Sequence, residues 1–132
     1  VSGAPSQTIV IGAAMYTIAK RFSFSASHMI GGLPAHHPCA RLHGHNYEVE
    51  IVLQSAELDP VGFVRDYREF SALKEFIDDT LDHRHLNEVF GHDRTTSEVI
   101  AKWLYDWCRA RWPEVAAVRV SETPKTWAEY RP

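Results

Sequence analysis

The chain has 132 residues and a mass of 15.0 kDa, room for one domain that builds its own core. With 45% hydrophobic and 23% charged residues it is neither a disordered nor a fibrous chain. A formal charge of −3 argues against nucleic-acid binding through an overall basic field, and no apolar run approaches the ~18 residues that span a bilayer.

Val1 to about Ala14 is small and weakly patterned, and reads as an N-terminal extension. No basic stretch precedes the apolar Thr8–Met15, so no signal peptide is expected. Two cysteines, Cys39 and Cys108, are too few for a disulfide scaffold and read as reduced thiols of a cytoplasmic protein. From Tyr16 the pattern alternates. Tyr16, Ile18, Phe22, Phe24 and Ala26 share one face, which Lys20 interrupts, and the strand runs into His28. Gly31, Gly32, Pro34 and Pro38 mark a loop. A second strand places Tyr47, Val49, Ile51 and Leu53 on one face and Glu48, Glu50 and Gln54 on the other. Asp66, with Glu69 three residues on, resembles a capping box, and Phe70, Leu73, Phe76, Ile77 and Leu81 follow at helical spacing. Thr95 and Glu98 open a second helix in the same way, with Val99, Ile100, Trp103, Leu104 and Trp107 as its stripe and Pro113 as its stop. Val118 and Val120 begin a third strand, Pro124-Lys125 turns, and Thr126–Tyr130 returns as a fourth. The order ββααββ predicts an α+β domain, a four-stranded antiparallel sheet with two helices on one face.

The eight histidines carry the functional signal. In extended backbone, residues i and i+2 point the same way, so His43 and His45 face one point at the end of the apolar face of the second strand. Such a pair also arises by chance in a histidine-rich loop. His28, at the matching end of the first strand, turns it into a metal-site prediction if the two strands form a hairpin. Three neutral imidazoles suit Zn²⁺ and leave a fourth position open, as catalytic sites do. His36 and His37 are taken as solvent-facing loop residues. Cys39, four residues before His43, is either a fourth ligand that closes the site or a base or nucleophile beside the metal, where its pKa falls below the free value of roughly 8.5. Cys108, on the edge of a helical stripe, reads as a packed residue. Asp82 beside His83 is either a proton-transfer pair or an ordinary helix C-terminus. Glu122 shares the parity of Val118 and Val120. It is either a core-face acid able to grip an amidine-like ligand edge through two hydrogen bonds, or an edge-strand acid facing water.

Six blocks stand in one order: Phe24-Ser-Ala-Ser-His28, Cys39-Ala-Arg-Leu-His-Gly-His-Asn-Tyr47, Gly62-Phe-Val-Arg-Asp-Tyr67, Leu81-Asp-His-Arg-His-Leu-Asn87, Thr96-Ser-Glu98 and Val120-Ser-Glu-Thr123. From about Tyr16 to the C-terminus the chain resembles the 6-pyruvoyltetrahydropterin synthase / 6-carboxytetrahydropterin synthase family. The short gap between Cys39 and His43, and the Thr96-Ser97-Glu98-Val99 stretch, are similar to the bacterial carboxy-type members. The resemblance implies a tunnel-type fold (T-fold) whose sheets close into a barrel, and trimers that pair into homohexamers with shared active sites. It implies His28, His43 and His45 as zinc ligands and Cys39 as catalytic proton acceptor, with Asp82 and His83 as a relay. It further implies Glu122 as the pterin anchor and Thr96 and Ser97 beside the pterin pocket. The implied reaction converts 7,8-dihydroneopterin triphosphate to 6-carboxytetrahydropterin, acetaldehyde and triphosphate, in queuosine-type or other deazapurine biosynthesis. The alternatives are pyruvoyl-type elimination of triphosphate and a non-catalytic zinc-stabilised pterin- or purine-binding module. Arg41 and Lys20 are basic groups near the motif that could meet the triphosphate.

Overall fold

The two alternating segments pair along their whole length. In the computed structural model, which describes residues 14–132, strand β1 (Tyr16–His28) runs antiparallel to β2 (His43–Ser55), with Phe24 opposite Tyr47 and His28 opposite His43. All but the last residue of the expected N-terminal extension lies outside the described residues. Strand β4 (Val115–Thr123) pairs antiparallel with β2, and β5 (Thr126–Tyr130) antiparallel with β4. These are the four antiparallel strands that the sequence predicts. A further two-residue strand, β3 (Arg84–His85), joins β1 in parallel, so the sheet order is β3-β1-β2-β4-β5. So short a strand has no periodicity to read, and only its position beside Ala26 and Ser27 defines it.

Three helices complete the domain: α1 (Ser71–Thr80), the short α2 (Leu86–Phe90) and α3 (Ser97–Arg111). A 3-10 turn at Tyr67–Phe70 precedes α1. The expected capping box does not close there. Asp66 accepts the Arg68 N–H, while Glu69 binds Arg65. Helix α3 opens one residue later than the sequence suggests, with the Thr96 hydroxyl accepting the Val99 N–H. Thr95 is left outside, fully buried, for another use. The buried face of α3 is Ile100, Ala101, Leu104, Tyr105 and Cys108. Trp103 and Trp107 flank it and stack on Phe76 of α1, at ring centroid distances of 5.1 and 4.3 Å. Cys108 therefore lies at the centre of the helix–sheet contact rather than at the stripe's edge, and burial pushes its thiol up to about 12.

Even positions of β1 and odd positions of β2 face these helices. Phe24, Tyr47, Val49, Ile51 and Leu53 meet Leu73, Ile77, Ile100 and Leu104 in one core. Each such buried side chain contributes about 1.5–3 kcal/mol relative to exposure. Lys20 interrupts the face but lays its stem along it, with Nζ 5.7 Å from the Phe22 ring centroid. The opposite face is polar and charged. Arg21 and Arg119 both bind Glu50, at 3.0 and 3.1 Å, and both guanidinium groups lie over Trp127. The core thus positions the strand ends, and the chemistry sits where the apolar face runs out at residues 28, 43 and 45.

Candidate metal centre

Antiparallel register brings the three imidazoles together. With His28 opposite His43 and His45 opposite Ala26, all three side chains leave the core-facing side of the hairpin at one end. Their ring centroids are 4.5, 5.2 and 4.8 Å apart, and one ligating nitrogen from each lies within 4.8 Å of the others. The floor is aromatic: Tyr47 stacks on Phe24, and its hydroxyl is 3.3 Å from His28 Nε2.

Two of the rings are oriented by backbone carbonyls. His28 Nδ1 donates to the Thr95 carbonyl at 2.7 Å, and His43 Nδ1 to the Arg41 carbonyl at 2.7 Å. A ring proton committed at Nδ1 leaves Nε2 as a free lone pair, the arrangement that ligating histidines adopt. Burial is the main cause that lowers the His28 pKa below its ordinary 6.5. The Thr95 bond opposes it and the neighbouring imidazole His43 assists. Burial likewise lowers His45, against the attraction of Glu122. Neutral imidazole is the form that binds a metal. The donor set and the two carbonyl-oriented rings fit a divalent ion of the zinc type.

Glu122 joins this group from β4, with its carboxylate 3.3 Å from His45 Nε2 and 3.7 Å from His28 Nε2. The sheet parity that the sequence suggested is realised. The same residue also lines a cavity of about 660 Å³ with His45, Asn46, Glu48, Arg21 and Trp127. That volume suits a bicyclic ligand with a side chain.

Cys39 lies on a 3-10 turn, Pro38–Ala40, half-buried. Among the described residues the metal-ligating cluster consists of the three histidines, without the Cys39 sulfur. His36 is exposed as expected, but His37 is half-buried and its ring accepts the Cys39 N–H. The loop reading of His37 as solvent-facing is therefore corrected.

Asp82 and His83 are not part of the three-histidine cluster, but His83 lines an open cavity with His45, Ser27 and His85. Asp82 Oδ1 accepts the Ser25 N–H at 2.9 Å, and its other oxygen is 2.9 Å from His83 Nδ1. The Ser25 bond is the chief reason the Asp82 carboxyl is held below its usual range, with His83 adding to it. His83 is 82% exposed in its side chain and has φ of 59°, a left-handed conformation uncommon for a non-glycine residue. Its N–H is tied to the Ser25 carbonyl at 2.6 Å. His83 is thus exposed just before β3 at the edge of the sheet, while Asp82 beside it is half-buried. Thr96 is committed to capping α3, and Ser97 has a buried hydroxyl with no hydrogen-bond partner among the described residues. Of the residues around the centre, Thr95 and Tyr47 were not expected. Tyr47 had the right parity, two positions beyond His45. Thr95 acts mainly through its carbonyl, a group every residue carries, so it leaves no sequence signal.

A mixed sheet of four antiparallel strands and one short parallel strand, helices packed against it and a three-histidine cluster at a hairpin end define an α+β protein of the T-fold class. The chain belongs to the 6-pyruvoyl tetrahydropterin synthase family, whose model matches residues 17–132. It is 36% identical over 129 residues to 6-carboxy-5,6,7,8-tetrahydropterin synthase of Bacillus subtilis, covering 89% of this chain and 86% of that one. Identity to the Synechocystis protein of the same name is 37% over 123 residues, covering 88% and 93%. Among solved structures, Caenorhabditis elegans 6-pyruvoyl tetrahydropterin synthase superposes with a TM-score of 0.78 at 28% identity, covering 90% of this chain and 96% of that one.

Proposed function

We propose that this chain is a zinc-dependent 6-carboxy-5,6,7,8-tetrahydropterin synthase. It would convert 7,8-dihydroneopterin triphosphate to 6-carboxytetrahydropterin, acetaldehyde and triphosphate, for deazapurine biosynthesis of the queuosine type. The observation that carries the reading is the convergence of three imidazoles, two with Nδ1 committed to carbonyls, beside a carboxylate and a ligand-sized cavity. The names of the Bacillus and Synechocystis relatives favour the carboxy-type product over the pyruvoyl type.

In this reading His28, His43 and His45 hold the ion. Bound there, zinc supplies Lewis acidity toward the hydroxyls of the substrate side chain. Glu122 accepts the 2-amino and ring N–H edge of the pterin through two hydrogen bonds, which fixes the side chain relative to the imidazoles. Thr96 and Ser97 flank the ring. The Cys39 thiolate takes the proton from the side-chain carbon next to the ring, and His83, oriented by Asp82, is the complementary acid. His83, exposed at the sheet edge and oriented by Asp82, would serve a centre shared with an adjoining subunit, in a hexamer of paired trimers. Arg41 and Lys20 are the cations offered to the triphosphate. The assembly is cytoplasmic, and residues 1–14 extend its single domain. Among the described residues no helix is long and apolar enough to cross a membrane.

The test is incubation of the metal-analysed protein with 7,8-dihydroneopterin triphosphate and mass identification of the products. A 6-carboxylated pterin with acetaldehyde, at one zinc per chain, is expected. A 6-pyruvoyl product, or tight pterin binding without turnover, overturns the reading.

A further inference from the structure

The turn that carries Cys39 is capped by a side chain that lies outside the six sequence blocks. His37 stands at the N-cap position with extended backbone (φ −68°, ψ 132°), Pro38 is the first residue of the turn and Cys39 the second. Proline brings no N–H, so the Cys39 amide is the first donor the turn must satisfy. His37 Nδ1 accepts it at 3.1 Å. This is the work usually done by Asn, Asp or Ser at an N-cap. A ring nitrogen that accepts carries no proton, so the ring proton of His37 is at Nε2.

The carbonyl of Cys39 is tied as well, accepting the Ile30 N–H at 2.9 Å. Ile30 belongs to the segment that follows His28, and that segment is anchored at two further points. The Asn87 side chain bonds both backbone groups of Met29, at 3.0 and 2.9 Å, and the Asp93 carbonyl accepts the Gly31 N–H. Cys39 is therefore held between His37 on one side and the His28 strand on the other. His36, the adjacent residue, is exposed and takes no part in this turn.

We infer that His37 is a positioning residue for Cys39: by accepting the Cys39 amide at Nδ1, it fixes the turn that sets the thiol in register with the His28–His43–His45 centre. The inference rests on the proton-carrying role proposed for Cys39 and deepens it. A misplacement of about 1 Å in a reacting group costs on the order of 100-fold in rate, so losing the cap is felt in turnover before it is felt in binding.

The experiment compares His37→Ala, His37→Asn and His36→Ala in the full chain loaded with zinc. Two quantities are read: amide hydrogen exchange at Cys39, and kcat and KM with 7,8-dihydroneopterin triphosphate. Asparagine places an acceptor oxygen at the same side-chain level as Nδ1. Expected are faster exchange at Cys39 in His37→Ala, a kcat at least about tenfold lower with KM within twofold of wild type, recovery of both in His37→Asn, and no change in His36→Ala. Unchanged exchange at Cys39 in His37→Ala overturns the inference. So does faster exchange with undiminished kcat, or failure of His37→Asn to recover. A wild-type protein with no turnover defeats the proposed function, and with it the inferred purpose of the cap, while the exchange rates separately report whether the cap itself exists.

Discussion

The proposed function gives Cys39 and the three histidines separable tasks, and single substitutions test the separation. Among the described residues the sulfur lies outside the metal-ligating cluster, so Cys39→Ala is expected to retain one zinc per chain while kcat falls by about 10²–10⁴, the usual contribution of a positioned proton carrier. Zinc analysis and steady-state kinetics on one preparation check both halves. His45→Ala is expected to lose the metal and turnover together. Burial and ring tautomer also explain how far these residues could be read from sequence. His28, His43 and His45 were legible because strand parity and a hairpin suffice to bring them together. His37 was not, because its job depends on a ring nitrogen meeting the amide two residues on, and a histidine in a loop carries no mark of that.

At the scale of elements, α3 depends on its first and central turns. Thr96→Ala removes the side-chain acceptor for the Val99 N–H and is expected to cost about 1 kcal/mol, read as a lower urea midpoint. Leu104→Ala opens a cavity in the fully buried helix–sheet contact and is expected to cost about 2–5 kcal/mol in the same assay. The helix itself was legible from its apolar spacing. Its rotation was not: the indoles of Trp103 and Trp107 stack on Phe76 of α1, a contact distant in sequence, and Ala101, Tyr105 and Cys108 are buried in the core instead. Strand β3 was hidden for a different reason. Two residues carry no period, and the strand exists because the Asp82–His83 corner is bonded to Ser25 of β1.

For the molecule as a whole, the charged face of the sheet makes stability depend on acidity. Burial alone would raise the Glu50 carboxyl, but the bonds from Arg21 and Arg119 outweigh it and hold Glu50 below its ordinary 4.5. A depressed folded-state value means stabilisation that is present above about pH 4.5 and lost as the pH falls through the folded value. Glu50→Gln is expected to be less stable than wild type at neutral pH by about 0.5–1 kcal/mol, with the difference vanishing in acid, as chemical denaturation across pH will show. The proposed sharing of centres between subunits predicts that active protein elutes at roughly 90 kDa, six times the 15.0 kDa chain, and a fully active monomer would contradict it. The periodicities of two and 3.6 residues were enough to determine the four long strands, the two main helices and the convergence of His28, His43 and His45, because hydrophobic burial acts on patterns local in the chain. Only the tertiary structure decided that Thr95 orients His28, that Glu122 turns toward the imidazoles and that His37 caps the Cys39 turn. Those contacts join backbone groups and rings by hydrogen bonds of fixed length and direction, and nothing in the order of residues encodes such geometry until the chain has folded.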